Sequence, residues 1–227
     1  MKDSKPTLQE ILDKFREASP KLDDAKRRIA LSTYRRLTRG IPASPEAIAR
    51  DAGIPVAQAT AVLGDWIGVY TDAEKRVIAF WGLSIPGMKH RFEVDGVRLH
   101  TWCAWDAIFL PELLDKTARV ESVCAQSGQL VRLTVSPSGV QSAEPATAAF
   151  ISFLLPDPSR FGSNIINRFC HYVNFFRSRA DGEEWIAKTP GTFLLTLDEA
   201  VELARLKNRA QFGAFLETHN DSTNGGR

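Results

Sequence analysis

The chain has 227 residues, 44% of them hydrophobic, and a formal net charge of +2 at pH 7. This size supports a substantial core of one large or two modest domains, and the nearly balanced charge gives no general affinity for nucleic acids or membranes. The first ten residues are polar, and no apolar run reaches the roughly 18 residues of a membrane span, so we expect a cytoplasmic protein without a signal peptide or membrane segment.

The first third of the chain is predicted to form four helices followed by a hairpin. Apolar residues at helical spacing, with Ser44 as an N-cap and Pro45 at the first helical position, indicate where the helices begin. The predicted helices cover residues 7–17, 23–37, 45–52 and 56–67, and the two strands cover residues 69–70 and 76–80. A helix, a glycine turn, a second helix and a hairpin are the layout of a winged helix-turn-helix.

DNA binding by this winged-helix-like region is disfavoured by its charges. Residues 1–50 hold 12 lysines and arginines against 7 aspartates and glutamates, but the second helix of the motif, 56–67, has no Lys or Arg and contains Asp65. Phosphate contacts need cations. We therefore interpret residues 1–80 as a domain that packs against the rest of the chain and does not bind nucleic acid.

Residues 81–217 are predicted to form a second, catalytic domain. Asp95-Gly96 is a strong two-residue hairpin signal between strands 91–94 and 97–101. Further predicted strands cover residues 118–123, 130–135, 148–155, 172–176 and 193–196, and helices cover 104–114, 181–188 and 198–215. The fold class expected is α+β, with a mainly antiparallel sheet and peripheral helices after the winged-helix-like domain; the polar, glycine-containing residues 218–227 are expected to be a disordered tail.

Three cysteines, Cys103, Cys124 and Cys170, are the most informative residue type. Their odd number argues against a disulfide framework, and the absence of a CxxC pair excludes a zinc ribbon. Isolated cysteines are often inert core residues, so a structural protein with buried thiols is one alternative. A mercury- or copper-responsive regulator, with His171 as a further ligand, is another.

A candidate reactive thiol lies at the predicted start of the helix 104–114. The N-terminal end of a helix lowers a thiol pKa, and Asp106 follows Cys103 by three residues, which places both side chains on one helical face. A nucleophile and a proton carrier are then neighbours. The alternative is a core cysteine beside two tryptophans and an aspartate that only stabilises the helix dipole.

Four segments give the sequence its resemblance to the organomercurial (alkylmercury) lyases of bacterial mercury resistance. They are residues 102–106 (WCAWD), 117–124 (TARVESVC), 133–137 (LTVSP) and 169–176 (FCHYVNFF), with cysteines 21 and then 46 residues apart. The resemblance covers roughly residues 20–210. One departure is His171, where some members have a second cysteine.

The resemblance implies that Cys103, Asp106 and Cys170 form the catalytic and mercury-binding trio and that Cys124 is structural. Mercury is soft and prefers thiolates; a second thiolate makes the bound carbon more basic, and a positioned carboxylic acid then protonates it with a gain of about 10²–10⁴-fold. Hydrocarbon and Hg(II) are the products, and no permanent cofactor is expected.

The surroundings of the trio are predicted as follows. Trp102, Trp105 and Phe169 would form a dry pocket that raises the pKa of the aspartate, although each could equally be an ordinary core aromatic. Low-molecular-weight thiols or a mercuric reductase would collect Hg(II). His100 and His171 could assist proton transfer, but a histidine near a site is more often a hydrogen-bonded core residue.

Overall fold

The computed structural model describes residues 5–145, 149–159, 161, 164–213 and 215–216. Within these residues the helices are α1 (Leu8–Ala18), α2 (Asp24–Leu37), α3 (Pro45–Ala52), α4 (Val56–Asp65), α5 (Asp106–Leu114), α6 (Ile165–Arg168), α7 (Arg179–Ala187) and α8 (Leu197–Phe212). The strands are β1 (Val69–Thr71), β2 (Val77–Phe80), β3 (Leu83–Ser84), β4 (His90–Val94), β5 (Val97–Thr101), β6 (Ala118–Val123), β7 (Leu130–Ser136), β8 (Gly139–Glu144), β9 (Phe150–Leu154), β10 (Phe175–Phe176) and β11 (Thr192–Thr196).

Local capping residues fix several helix boundaries. Thr7 and Thr196 each form a capping box with the glutamate three residues later, which satisfies free N–H groups at the start of α1 and α8. Ser44 accepts a hydrogen bond from the Ala47 N–H, and Gly53 ends α3 in the left-handed region at φ 65°. These ends lie within one residue of their predicted positions because the signals are local.

The larger sheet has eight strands in the order β1-β2-β3-β5-β4-β6-β7-β8. Every recorded pairing in it is antiparallel. Asp95 and Gly96, at φ 51° and 78°, form the tight turn between β4 and β5, with Val94 paired to Val97. Positive φ at both turn residues matches the twist of the flanking strands, and this confirms the predicted hairpin.

A smaller antiparallel sheet has the order β10-β9-β11. All five residues of β9 are buried, and α7 and α8 pack against this sheet. Ser152 in β9 donates its hydroxyl proton to the Tyr172 carbonyl at 2.7 Å and accepts from the Asn174 N–H at 3.0 Å. The sheet therefore supports the segment that follows Cys170.

Helix α5 lies at the centre of the fold. It packs against α8, α2 and the larger sheet, and all its residues except Glu112 are buried. Asp106, its first residue, is only 7% exposed. A carboxyl group in this position is removed from water by the packing of the whole helix.

The α+β class and the mainly antiparallel sheet are confirmed, whereas the winged-helix-like N-terminal domain stays a prediction, and some local predictions need correction. The predicted strand 172–176 is wrong: residues Cys170–Tyr172 form a 3-10 turn, closed by the Val173 N–H donating to the Cys170 carbonyl, and only β10 is extended. Strands β3 and β8 and helix α6 were not predicted.

The division at residues 80 and 81 falls between β2 and β3, which pair in one sheet, and the domain assignment stays a prediction. The predicted tail 218–227 and Ala148 lie outside the described residues. Among the residues described, no helix has the length and apolarity needed to cross a membrane.

Candidate active site

Cys103 lies in a turn between β5 and α5. The Thr101 hydroxyl donates to the Cys103 carbonyl at 3.0 Å, and the Cys103 N–H donates to Asp106 Oδ2 at 2.8 Å. The helix begins at Asp106 and not at Ala104 as predicted. Cys103 and Asp106 are therefore neighbours, as expected, but through a hydrogen-bonded turn and not through a shared helical face.

Cys170 reaches the same place from a distant part of the chain. It begins the 3-10 turn after α6, and the Ala104 N–H donates to the Val173 carbonyl at 3.1 Å. This backbone hydrogen bond joins the turn that carries Cys103 to the turn that carries Cys170. The positions of the two cysteines are thus coupled through the main chain.

The side chains of Cys103, Asp106 and Cys170 form a dithiol–carboxylate cluster. Their two sulfurs and a carboxylate oxygen all lie within 4.8 Å of one another, and all three residues are buried. Both thiols are free. In the part of the chain that the structure describes, this is the one group of Cys, His, Asp and Glu side chains arranged to hold a metal ion, and its two sulfurs suit a soft metal.

Burial controls the protonation of the cluster. It raises the pKa of Asp106 to about 6, against the lowering effects of hydrogen bonds from the Cys103 side chain and backbone and of the Lys207 charge. Burial, the hydrogen bond to Cys170 and the charge of Asp106 raise the pKa of Cys103 well above its usual range. The prediction that the helix start lowers the pKa of Cys103 is therefore wrong: Cys103 precedes α5, and burial outweighs the lowering effect of the backbone hydrogen bond with Asp106.

Cys170 differs from Cys103 in one respect. The hydrogen bond with Cys103 lowers the pKa of Cys170, although burial and the Asp106 charge together still leave it raised. A thiol that donates to its neighbour stabilises the neighbour's thiolate. Within the pair, Cys170 is thus the sulfur whose anion receives support.

An aromatic cavity of ≈ 20 Å³ adjoins the cluster. It is lined by Phe15, Trp81, Gly82, Trp102, Trp105, Asp106, Phe109, Phe161, Ile165, Phe169 and Cys170. All three predicted pocket residues, Trp102, Trp105 and Phe169, are in this lining. The space is about that of one water molecule, so the carboxyl group and the Cys170 sulfur face a nearly dry, apolar environment.

The remaining predicted residues, Cys124, His171 and His100, are not members of the cluster. Cys124 is buried after β6, accepts a hydrogen bond from the Ser127 N–H at 3.4 Å and lies 3.7 Å from Asp181 Oδ2. His171 is exposed, and its ring contacts Tyr172. His100 is in β5, opposite Arg91 and Ser84. The structural role of Cys124 stays a prediction.

Two residues near the cluster, Gly82 and Lys207, were not predicted from the sequence. A Cβ on Gly82, at φ 96°, would lie 2.6 Å from Asp106 Cγ, so the backbone there packs directly on the carboxyl group. Glycine next to a strand often marks such a close approach, and this signal was available. Lys207 follows Leu203 and Ala204 along the buried side of α8, where a charged residue interrupts an apolar stripe.

An α+β fold with two buried free thiols and a carboxyl group beside an aromatic cavity defines a protein that can bind a soft metal and deliver a proton. Comparison with known proteins agrees with this class. The family model described as alkylmercury lyase (MerB) matches residues 83–207, which include the whole cluster.

Alkylmercury lyases are similar over most of the chain. That of Staphylococcus epidermidis is 37% identical over 169 residues (74% of this chain, 76% of that protein), that of Pseudomonas putida 38% over 176 residues (78% and 81%), and that of Bacillus cereus 33% over 204 residues (89% and 91%). The mercury-bound crystal structure of MerB2 has the same fold, with a TM-score of 0.71 at 20% identity over 92% of this chain and 99% of that one. The chain belongs to the alkylmercury lyase family, and its activity is that of an organomercurial lyase.

Proposed function

We propose that this lyase cleaves the carbon–mercury bond of alkyl- and arylmercury compounds with Cys103 and Cys170 as mercury ligands and Asp106 as proton carrier. The observation that supports these roles is the joint burial of two sulfurs and a carboxylate oxygen within 4.8 Å. One R–Hg⁺ ion can then contact both sulfurs while its carbon lies near the carboxyl group. The released Hg(II) makes the reaction a step in mercury detoxification.

Binding begins at Cys170, the cluster sulfur that lines the aromatic cavity. The Cys170 sulfur displaces the ligand X of R–Hg–X, and the thiol proton leaves with X as HX. Cys103 then binds the same mercury, and its proton passes to Asp106, whose carboxylate is adjacent. With a pKa of about 6, Asp106 is mostly ionised at neutral pH and can accept that proton.

Cleavage follows when Asp106 returns the proton to carbon. Two thiolate ligands push electron density through mercury onto the bound carbon, which becomes basic enough to take the proton. The carbon–mercury bond breaks, R–H leaves, and Hg(II) stays on the two sulfurs while Asp106 is again a carboxylate. The sum is R–Hg–X plus two thiols giving R–H, HX and a mercury dithiolate, so no redox partner is required.

The aromatic cavity supplies the environment for this step. Trp102, Trp105 and Phe169 exclude water, which keeps the pKa of Asp106 high enough for it to hold a proton. We propose that no permanent cofactor takes part. Low-molecular-weight thiols in the cytoplasm, or a mercuric reductase, would remove Hg(II) by exchange with the two protein sulfurs.

The N-terminal helices are proposed to be a winged-helix-like module that packs against the rest of the chain. Phe15 of α1 contacts the ring of Trp105, with centroids 5.4 Å apart, and lines the aromatic cavity, so α1 packs against that cavity. The helix α4 has no basic residue in its sequence. We expect no sequence-specific DNA binding. A gel-shift titration at physiological salt with the chain's own promoter tests this, and a tight complex would contradict it.

The two-sulfur mechanism is tested by replacing each cysteine in turn. We expect Cys103→Ala and Cys170→Ala each to abolish benzene formation from phenylmercury in excess thiol, measured by gas chromatography. Cys124→Ala is the matched control, since it removes a buried thiol outside the cluster, and it should remain active. Circular dichroism verifies that each variant is folded. Substantial benzene formation by either cluster variant would contradict the mechanism.

A further inference from the structure

Lys207 is a buried cation next to the active site. Its side chain is on α8, and the residue is 2% exposed. The Nζ donates to Asn208 Oδ1 at 3.1 Å and lies 3.5 Å from the centroid of the Phe109 ring. A neutral amide oxygen and an aromatic ring compensate only partly for removing an ammonium group from water, so its charge needs a negative partner.

Both acidic residues whose charge acts on Lys207 belong to α5. Glu112 accepts a hydrogen bond from Asn208 Nδ2 at 2.7 Å, and Asp106 is in the cluster. Burial lowers the pKa of Lys207 to about 7, while the charges of Asp106 and Glu112 raise it. Phe109, which contacts the ammonium group, also lines the active-site cavity. One ring, that of Phe109, therefore lies against both Lys207 and the cavity.

The charge on Asp106 changes during the proposed cycle. Asp106 is a carboxylate before substrate binds, a neutral acid while R–Hg is held by both sulfurs, and a carboxylate again once carbon has taken the proton. The positive charge of Lys207, which the Asp106 and Glu112 charges favour against the effect of burial, stabilises only the ionised states of Asp106. It therefore favours the transfer of the proton from Asp106 to carbon, the step in which the negative charge reappears.

We propose that Lys207 is a positioning residue whose buried ammonium group stabilises the Asp106 carboxylate as it forms during cleavage of the carbon–mercury bond. This inference rests on the proposed role of Asp106. It assigns to α8 an electrostatic part in catalysis, in addition to its packing against α5. Lys207 itself contacts neither mercury nor the organic group.

The test is a single-turnover measurement of benzene release from bound phenylmercury. Lys207→Met keeps the length of the side chain and removes its charge. We expect benzene release to slow about tenfold, the effect of weakening the acid by about one pKa unit, with the amount of phenylmercury bound unchanged. Lys207→Arg, which keeps the charge, should recover most of the rate. Arg209→Met, on the exposed side of the same helix, should behave like the parent.

Thermal unfolding and a double variant separate this role from simple packing. Lys207→Met leaves the Asp106 and Glu112 charges without this buried cation, so its melting temperature should fall, and the rates are compared at a temperature at which circular dichroism shows every variant to be folded. In an Asp106→Asn background Lys207→Met should have no further effect on the rate, because the group it acts on is gone. A parental rate for Lys207→Met, or an equal loss in both backgrounds, would overturn the inference. The proposed function itself fails in a different way, through a parental rate of Asp106→Asn alone.

Discussion

Replacing Asp106 with Asn should make the protein more stable and nearly inactive. The pKa of Asp106 is about 6 in the folded protein, against an ordinary value of 3.8, so burial disfavours its ionised form by about 3 kcal/mol. Asparagine keeps an oxygen that can accept the Cys103 N–H but carries no charge. The stabilisation is at most this value, because Lys207 loses its carboxylate partner in the same substitution.

The sign of the pH dependence follows from the direction of the shift. Below about pH 4 the carboxyl group is protonated in both folded and unfolded chains, and the substitution should change stability little. Between about pH 4 and 6 the unfolded chain loses its proton first, so the parent loses stability relative to Asp106→Asn. Above about pH 6 the difference in stability between the parent and Asp106→Asn should reach its full value and stay constant.

Urea unfolding at pH 4 and pH 7.5 measures this difference, with the exposed residue Asp65 replaced by Asn as the control. Single-turnover assays on the same samples should show phenylmercury held by the protein and benzene released about 10²–10⁴-fold more slowly. A stability difference that is equal at the two pH values would refute the argument from burial. Benzene release at the parental rate would mean that another group supplies the proton.

Two further substitutions test the surroundings of the cluster. Gly82→Ala should lower stability by about 1–3 kcal/mol and slow benzene release, because its Cβ would lie 2.6 Å from Asp106 Cγ; Gly96→Ala, also at positive φ but with no atom within 4 Å of its Cβ, is the control for backbone strain alone. Equal rates for the two glycine variants would contradict this. Cys124→Ser should retain catalysis and lose about 1–3 kcal/mol in urea unfolding, and a fully stable but inactive variant would contradict a structural role.

Local features of the fold could be predicted from the sequence. The N-cap Ser44 with Pro45, and the turn at Asp95-Gly96, depend on backbone preferences within a few residues, so their positions were predicted closely. Strand β8 was missed because its residues are partly exposed and lack a clear apolar alternation. The predicted strand 172–176 begins too early, since Tyr172 still belongs to the 3-10 turn and only Phe175 and Phe176 are extended, although the aromatic and β-branched residues of the segment have the composition of a strand.

The candidate site could be predicted only in part. The spacing of Cys103 and Asp106 predicts their contact, whereas the approach of Cys170, which is distant in the sequence, follows from the family resemblance and from tertiary packing. The pKa of Cys103 shifts in the direction opposite to the prediction because burial is set by the whole fold and not by the three residues around it. The position of Lys207 near the cluster could not be predicted for the same reason, because it arises only when α8 packs against α5.

The hydrogen bond from the Ala104 N–H to the Val173 carbonyl has a consequence for what happens when mercury leaves. Many small metal-binding domains assemble their ligands only around the ion, and they unfold when a chelator takes it away. Here a main-chain hydrogen bond connects the two sulfur-bearing turns, so their contact does not depend on mercury ligation alone. If the two sulfurs hold Hg(II) as proposed, we expect its extraction by a competing thiol to leave a folded enzyme with its sulfurs in place, ready for the next substrate. The affinity for mercury and the stability of the fold can then vary independently.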